Sequence, residues 1–271
     1  MDYHVYTPQA ALLPYVKCYW SLDSGDTPFM PGIERVFPDG CIELLFHYGE
    51  RFRKYLDDTQ TVLQPRSFIH GQIRSYIDLE PTGNIGLFSV RFQPAGLQAF
   101  VPMQAGDLSG LTVEPDSIWG PDGDVLQDRM LNASSHTQRI QIIETFLLQR
   151  LHRNSYSTDA IAYCIQQLHR NGGRVSMETL AEKANMGRRH LERRFVSGVG
   201  MSPKLLSRII RFQNMLRLIG ENRLNSLTAL AYEGGYYDQA HFIKDFKEFT
   251  GLNPRAYFSE NLAMARFLSS E

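Results

Sequence analysis

The chain contains one structural unit twice. Leu180-Ala181, His190-Leu191, Phe195 and Gly200-Met201-Ser202-Pro203 recur as Leu230-Ala231, His241-Phe242, Phe246 and Gly251-Leu252-Asn253-Pro254. The offset is 50 residues at Leu180/Leu230 and 51 from His190/His241 onward, so one residue is inserted inside the second copy. A repeat of this period is a supersecondary unit that packs against its own copy. In the first copy, Ser176 is placed to cap a helix over 177–184, and Glu178 lies in the first turn, where a carboxylate meets the positive helix end. Asn185-Met186-Gly187 breaks the chain before a second helix over 188–196. In the second copy, Ser226 precedes a helix over 227–233, Gly234-Gly235-Tyr236 forms the turn, and Asp238 caps a helix over 239–248. Leu191 and Phe195, like Phe242 and Phe246, share an inward face at i, i+4. Arg189, Glu192 and Arg193 form another stripe, matched in the second copy by Ala240, Ile243 and Lys244. Two short helices joined by a tight turn make a helix-turn-helix, and its second helix is sized for the major groove of DNA. Between the copies, Pro203 suits the first turn of a helix that runs to Leu218 and is ended by Gly220. That rod spaces the two recognition helices.

Charge is divided in the same way. The formal net charge is −1. Residues 1–160 carry 12 Lys/Arg against 19 Asp/Glu, and residues 161–271 carry 16 against 10, so −7 and +6 sum to −1. A basic half joined to an acidic one points to a polyanion as the partner of the second half. Eleven of the 13 prolines lie at or before Pro121. There is no apolar run of 18 residues and no leader pattern after Met1-Asp2-Tyr3-His4, so the expectation is a cytoplasmic protein with no membrane partner. Cys18, Cys41 and Cys164 are too scattered for a disulfide framework or a zinc knuckle.

Residues of about 160–258 resemble the DNA-binding domain of the AraC/XylS family of bacterial transcriptional regulators. The Leu-Ala pairs, Phe195 and Phe246, both Gly-x-x-Pro elements and the run Gly234-Gly235-Tyr236-Tyr237-Asp238-Gln239-Ala240-His241-Phe242 carry the resemblance. It implies seven helices, two helix-turn-helix units and two successive major-groove contacts on one face of double-stranded DNA. Carried over by position, Arg189, Glu192 and Arg193 are base-reading candidates in the first unit, with Arg188 beside them. Gln239, Ala240, His241 and Lys244 are those in the second. Glu192 suits a cytosine amino group but is repelled by phosphate, and Ala240 and Ile243 offer only apolar contact, as to a thymine methyl. His190, next to the inward Leu191, is expected to be structural.

The first 120 residues read as β structure. Cys41–Tyr48 alternates with Ile42, Leu44, Phe46 and Tyr48 on one face, and 84–92 does so with Phe88, Val90 and Phe92. Further strands are expected at 15–22, 68–70 and 75–79, separated by Phe37-Pro38-Asp39-Gly40 and Glu80-Pro81-Thr82-Gly83. Strings such as Pro38-Asp39-Gly40-Cys41-Ile42-Glu43-Leu44 and His70-Gly71-Gln72 resemble the cupin-like sensor region found in front of such DNA-binding domains. A helix over 137–153 carries Ile140, Ile143, Leu147 and Leu151, suited to packing within the domain or across a dimer. Trp20, Phe46, Tyr48, Phe88 and Phe92 are the candidate effector-lining residues, against a plain core reading. His4, His47 and His70 lack the spacing of a metal site and are expected to be satisfied histidines.

The fold class that follows is α+β in two domains. A β-rich cupin-like barrel with connector helices occupies 1–157, with a hinge at 154–157. An all-α DNA-binding domain occupies 158–258, and 259–271 is a tail. The function expected is sequence-specific transcriptional regulation, controlled by a small-molecule effector or by dimerisation through the first domain, without enzyme activity, cofactor or metal. RNA polymerase is a partner if the output is activation, and a homodimer is the assembly if control runs through dimerisation. The rivals are a cupin-type metal enzyme fused to a DNA-binding domain, a constitutive DNA binder whose first domain only dimerises, and an alkylation-repair methyltransferase. The last needs clustered cysteines.

Overall fold

A computed structural model describes residues 1–25, 32–57, 59–151, 159–220, 227–254 and 257. The expected hinge at 154–157, the Ser226 cap and the tail at 259–271 lie outside the described residues.

The N-terminal strands are β1 (Asp2–Tyr6), β2 (Val16–Asp23), β3 (Glu34–Val36), β4 (Glu43–His47), β5 (Phe52–Tyr55), β6 (Thr61–Leu63), β7 (Ser67–His70), β8 (Ile77–Pro81), β9 (Gly86–Phe92) and β10 (Thr112–Val113). They form a six-stranded sheet in the order β1-β2-β9-β4-β7-β10 and a four-stranded sheet in the order β3-β8-β5-β6. Every pairing given is antiparallel. The expected strands are present. Those that the alternation did not reveal are short, or polar like the Phe-Arg-Lys-Tyr of β5.

Each central strand of the larger sheet is buried on both faces, because successive side chains alternate. On one face Tyr19, Leu44, Phe46, Ile69, Phe88, Val90 and Phe92 pack beneath α1 (Pro115–Trp119), α2 (Pro121–Leu131) and α3 (His136–Leu151). The seam of α3 is Arg139, Ile142, Ile143 and Leu147, with Ile140 and Leu151 partly buried against the same core. The helix thus packs within its own domain. On the other face Trp20, Leu22 and Leu87 meet Phe52 and Leu79 of the smaller sheet.

The second half is helical: α4 (Asp159–Arg170), α5 (Met177–Lys183), α6 (Arg188–Val199), α7 (Pro203–Gly220), α8 (Leu227–Glu233) and α9 (Gln239–Thr250). Tyr257 is helical beyond them. Ser176 and Asp238 cap as the sequence predicts, accepting from Thr179 N and His241 N. Both recognition helices run three and two residues further than expected, to Val199 and Thr250, and each stops at a left-handed glycine, Gly200 (φ 85°) and Gly251 (φ 73°). Those glycines are the equivalent residues of the two copies. Leu180, Leu191, Phe195, Phe242 and Phe246 all lie in one core with the buried face of α7.

The halves are not separate bodies. Phe37, from the loop between β3 and β4, belongs to the helical core, edge-on to Phe212 with ring centroids 5.8 Å apart. Gln213 Nε2 donates to Pro38 O at 2.8 Å, and Arg35 Nη1 donates to Thr250 O at 3.0 Å. Gly40 has φ +80° and lies so close to α7 that a Cβ there would meet Leu206 Cδ1 at 2.6 Å.

Candidate nucleic-acid interface and internal cavity

The repeat places two equivalent surfaces on the helical half. A shallow groove along α6 is lined by Arg189, Glu192, Arg193, Val196 and Ser197, and one along α9 by Ala240, Ile243, Lys244, Lys247 and Glu248. Adding 51 to each number of the first set gives the second. Arg188, Arg189, Arg193, Gln239, Ala240, His241 and Lys244 are exposed, and Glu192 and Ile243 are half-buried. Of the expected readers, Arg189, Glu192 and Arg193 lie together along the first groove and Ala240 and Lys244 along the second. Arg188, Gln239 and His241 are exposed on the same helices but line neither groove.

Their surroundings differ. Arg188 spans α5 and α6, donating to Glu178 Oε1 at 3.0 Å and Glu192 Oε1 at 3.3 Å. Glu192 is thus partly neutralised, which lessens its repulsion of phosphate. His190, expected to be structural, is exposed instead, and its Nδ1 accepts from Arg193 Nη2 at 3.2 Å. One helical step past Arg189 the position faces out, and only Leu191 turns inward. The 3-10 turn Ala105–Leu108 of the N-terminal half packs on α6. It brings Gln104, Gly106 and Asp107 to the edge of the first groove. A Cβ on Gly106 would stand 2.9 Å from the Val196 carbonyl oxygen, so this approach requires glycine. Among the described residues, no such element lines the groove of the second unit.

A network that sequence spacing does not reveal fixes α9 on α7. Arg208 Nη2 donates to Asp245 Oδ1 at 2.8 Å and to Glu248 Oε2 at 2.6 Å. The hydrogen bond from Arg208 holds the Glu248 carboxyl below its usual range. The Asp245 side chain is 1% exposed, so losing Arg208 would strand a buried carboxylate.

In the N-terminal half a cavity of about 90 Å³ lies between the two sheets. Its walls combine Leu22, Leu45, Phe52, Phe68 and Leu87 with Asp39, Glu43, His47, His70 and Arg91. Arg91 Nε donates to Glu43 Oε1 at 2.6 Å and lies 3.5 Å from Asp39 Oδ2. Burial opposes the Arg91 charge, but Glu43 and Asp39 more than offset it, and its pKa lies well above the ordinary value. Of the effector candidates, Trp20 lines this cavity. Phe46, Phe88 and Phe92 do not: they lie in the core on the opposite face, under the helices. Tyr48 packs against that core, bonded to Asp23 and covered by the Arg139 guanidinium 3.7 Å from its ring centroid. The alternation was right, but both faces are buried, and the cavity took the face that carries the charges.

The buried histidines are only half satisfied, contrary to expectation. His47 Nε2 meets Gln64 Oε1 at 3.1 Å and His70 Nδ1 meets Gly71 O at 2.8 Å. Among the described residues, His47 Nδ1, His70 Nε2, Trp20 Nε1 and Asp39 Oδ2 have no hydrogen-bond partner. Burial pushes the pKa of His47 down to about 4 from an ordinary 6.5. Between those values the unfolded chain binds a proton that the folded one refuses. Stability is therefore expected to fall as pH drops from 6.5 towards 4, by at most roughly 3 kcal/mol from this residue. Denaturant melts at pH 7 and 4.5 check it: His47→Gln should flatten the slope relative to the unaltered protein, and an equal slope in both would reject the assignment.

Comparison with known proteins came down on the same two halves. Residues 4–114 match a domain of unknown function (DUF6597), and residues 180–260 match a helix-turn-helix domain family. An uncharacterized HTH-type transcriptional regulator of Haemophilus influenzae is 34% identical over 122 residues, covering 45% of this chain. The chain spans only 39% of that relative's length. A structure of ToxT from Vibrio cholerae aligns with 86% of this chain and 98% of its own at 13% identity, with a TM-score of 0.46. The AraC-like transcriptional activator CuxR aligns with 81% and 87% at 11% identity, with a TM-score of 0.28.

Proposed function

We propose, from the premise that the chain carries an AraC-type helix-turn-helix domain in residues 180–260, that it is a sequence-specific DNA-binding transcriptional regulator. The observation that carries this reading is the pair of equivalent exposed helix faces, one per repeat, held on the single helix α7. Basic side chains neutralise phosphates and supply much of the affinity, while the few residues facing the bases supply preference. Arg189, Glu192 and Arg193 read one box. Gln239, Ala240, His241 and Lys244 read the next, with Arg188 holding α6 to α5 and facing the backbone.

The first half is the controlling part, through a small-molecule effector, dimerisation or both. The reading includes no enzyme activity and no cofactor, a cytoplasmic location, a homodimer, and contact with RNA polymerase where the output is activation. Among the described residues no helix is long and apolar enough to cross a membrane. The domains in this reading are 1–157 and 158–258, with Phe37 of the first packed into the core of the second.

Footprinting of the purified protein on its own upstream DNA tests the reading, and a protected region of two adjacent boxes is the expected result. Protection with no sequence preference at any salt concentration would reject it. Arg193→Ala is expected to weaken specific binding by about 1–3 kcal/mol and to relax preference at one base position. A variant that loses affinity uniformly across all single-base changes would make Arg193 a phosphate contact instead.

A further inference from the structure

We propose that Tyr237 is the residue inserted in the second repeat, and that its hydroxyl donates to a DNA phosphate and so positions α9 in its box. The inference deepens the regulator reading and rests on it.

Backbone hydrogen bonds locate the insertion. In the first unit Asn185 N donates to Glu182 O at 3.0 Å, and Met186 N to Ala181 O at 2.9 Å. In the second, Gly235 N donates to Tyr232 O at 3.0 Å, and Tyr236 N to Ala231 O at 2.9 Å. Each residue of one pair stands 50 positions from its counterpart in the other, and Asn185 (φ 51°) and Gly235 (φ 86°) share the left-handed conformation. From the N-caps onward the offset is 51: Leu191 N donates to Gly187 O, and Phe242 N to Asp238 O. Met186 is followed directly by the N-cap Gly187, whereas Tyr237 stands between Tyr236 and the N-cap Asp238. The extra residue is therefore Tyr237.

Its surroundings give it no packing role. Met186 and Tyr236 both pack on the helical core, and Tyr236 is only 4% exposed. Tyr237 is 87% exposed, more than any other large hydrophobic side chain among the described residues. A ring left in water adds little to the stability of the fold. What it offers is a phenol, a neutral donor on a stiff arm. The first residues of a recognition helix meet base edges at the floor of the major groove. The chain just before them then comes level with the sugar-phosphate rim, and a tyrosine hydroxyl is one of the groups that fixes register by bonding a phosphate oxygen. The second unit has the greater need of such a contact. Helix α6 carries Arg188, Arg189, Arg193 and Arg194, where the Lys/Arg residues of α9 are Lys244 and Lys247.

Equilibrium binding of the full chain to its footprinted operator, measured over a range of salt concentrations, tests the contact. Tyr237→Phe removes only the hydroxyl from an exposed ring and should lower affinity at least about fivefold, as expected for a lost hydrogen bond to a charged group. The loss should be the same for every single-base change in the operator and absent on DNA that carries the first box alone. It should also leave the slope of log affinity against log salt unchanged, because a neutral donor releases no counterion. Tyr237→Lys puts a charge at the same place and should steepen that slope by roughly 0.9, the value of one neutralised phosphate. Undiminished affinity in Tyr237→Phe, a loss confined to one base position, or a slope that Tyr237→Lys leaves unmoved each overturns the phosphate contact. Tyr237→Phe that binds the operator normally but no longer alters transcription would assign the ring to a protein partner and overturn it too. Duplex DNA of unrelated sequence presents the same phosphates, which separates this inference from the reading beneath it. A chain without sequence preference whose affinity still falls in Tyr237→Phe would count against the regulator reading and not against the contact.

Discussion

Insertion of five base pairs between the two operator boxes is expected to lower affinity about a hundredfold or more, to the level of one unit gripping alone. The helix α7 has 18 residues and so is about 27 Å long at 1.5 Å per residue. With the width of the flanking helices, the recognition helices α6 and α9 stand roughly one 34 Å turn of B-DNA apart. Half a turn of extra DNA rotates one box to the far side, and a rigid rod anchored by the Arg208 bonds to Asp245 and Glu248 cannot follow it. Insertion of ten pairs keeps the face but lengthens the span, and should recover little. The α6 box should be the more sharply defined, since Arg189, Glu192 and Arg193 offer donors and an acceptor where α9 offers Ala240 and Ile243. Gel-shift titrations on the spaced operators decide this. Affinity that survives the five-pair insertion would mean that only one unit engages DNA.

Phe37→Ala should destabilise the helical half by about 3 kcal/mol, although the residue lies more than a hundred positions before it. Its ring is 6% exposed, edge-on to Phe212 and 6.0 Å from the Tyr257 ring centroid. Truncation leaves a cavity against the same α7 face that packs on Phe246 and Phe249. By the same logic the fragment 158–258 alone should be less stable than the same domain in the full chain, because Phe212 loses its cover. Urea unfolding followed by a probe on α7 measures both. If Phe37→Ala left the midpoint of that probe unchanged, the halves would be energetically independent and the contact merely a touch.

The helical half was legible because its information is local and stated twice. Capping residues, turn glycines and i, i+4 apolar pairs each act within a few residues, and the repeat doubled every signal. Leu191 and Phe195, for example, are inward in the structure as their spacing requires. The exposure of His190 was not legible from its buried neighbour Leu191, because adjacency in sequence says nothing about direction on a helix. The sheets were legible in their alternation but not in their layering. Phe46, Phe88 and Phe92 share a face, as period two demands, but which layer covers that face depends on where α1, α2 and α3 return. An apolar face invites the helices, and the polar face, with Glu43, His47, His70 and Arg91, is left to surround the cavity.

By itself, then, the sequence determined the two helix-turn-helix units, their order, the exposed stripe of each second helix and the central strands of the first half, since these follow from short-range periodicity and capping. Only the tertiary structure decided which sheet face holds the cavity, that Arg208 ties α9 to α7, and that Phe37, Pro38 and Gly40 join the cavity wall to α7. Those contacts link residues as far apart as 175 positions, such as Pro38 and Gln213. No local pattern encodes such a pairing, because it arises from how whole layers close over one another to remove apolar surface from water.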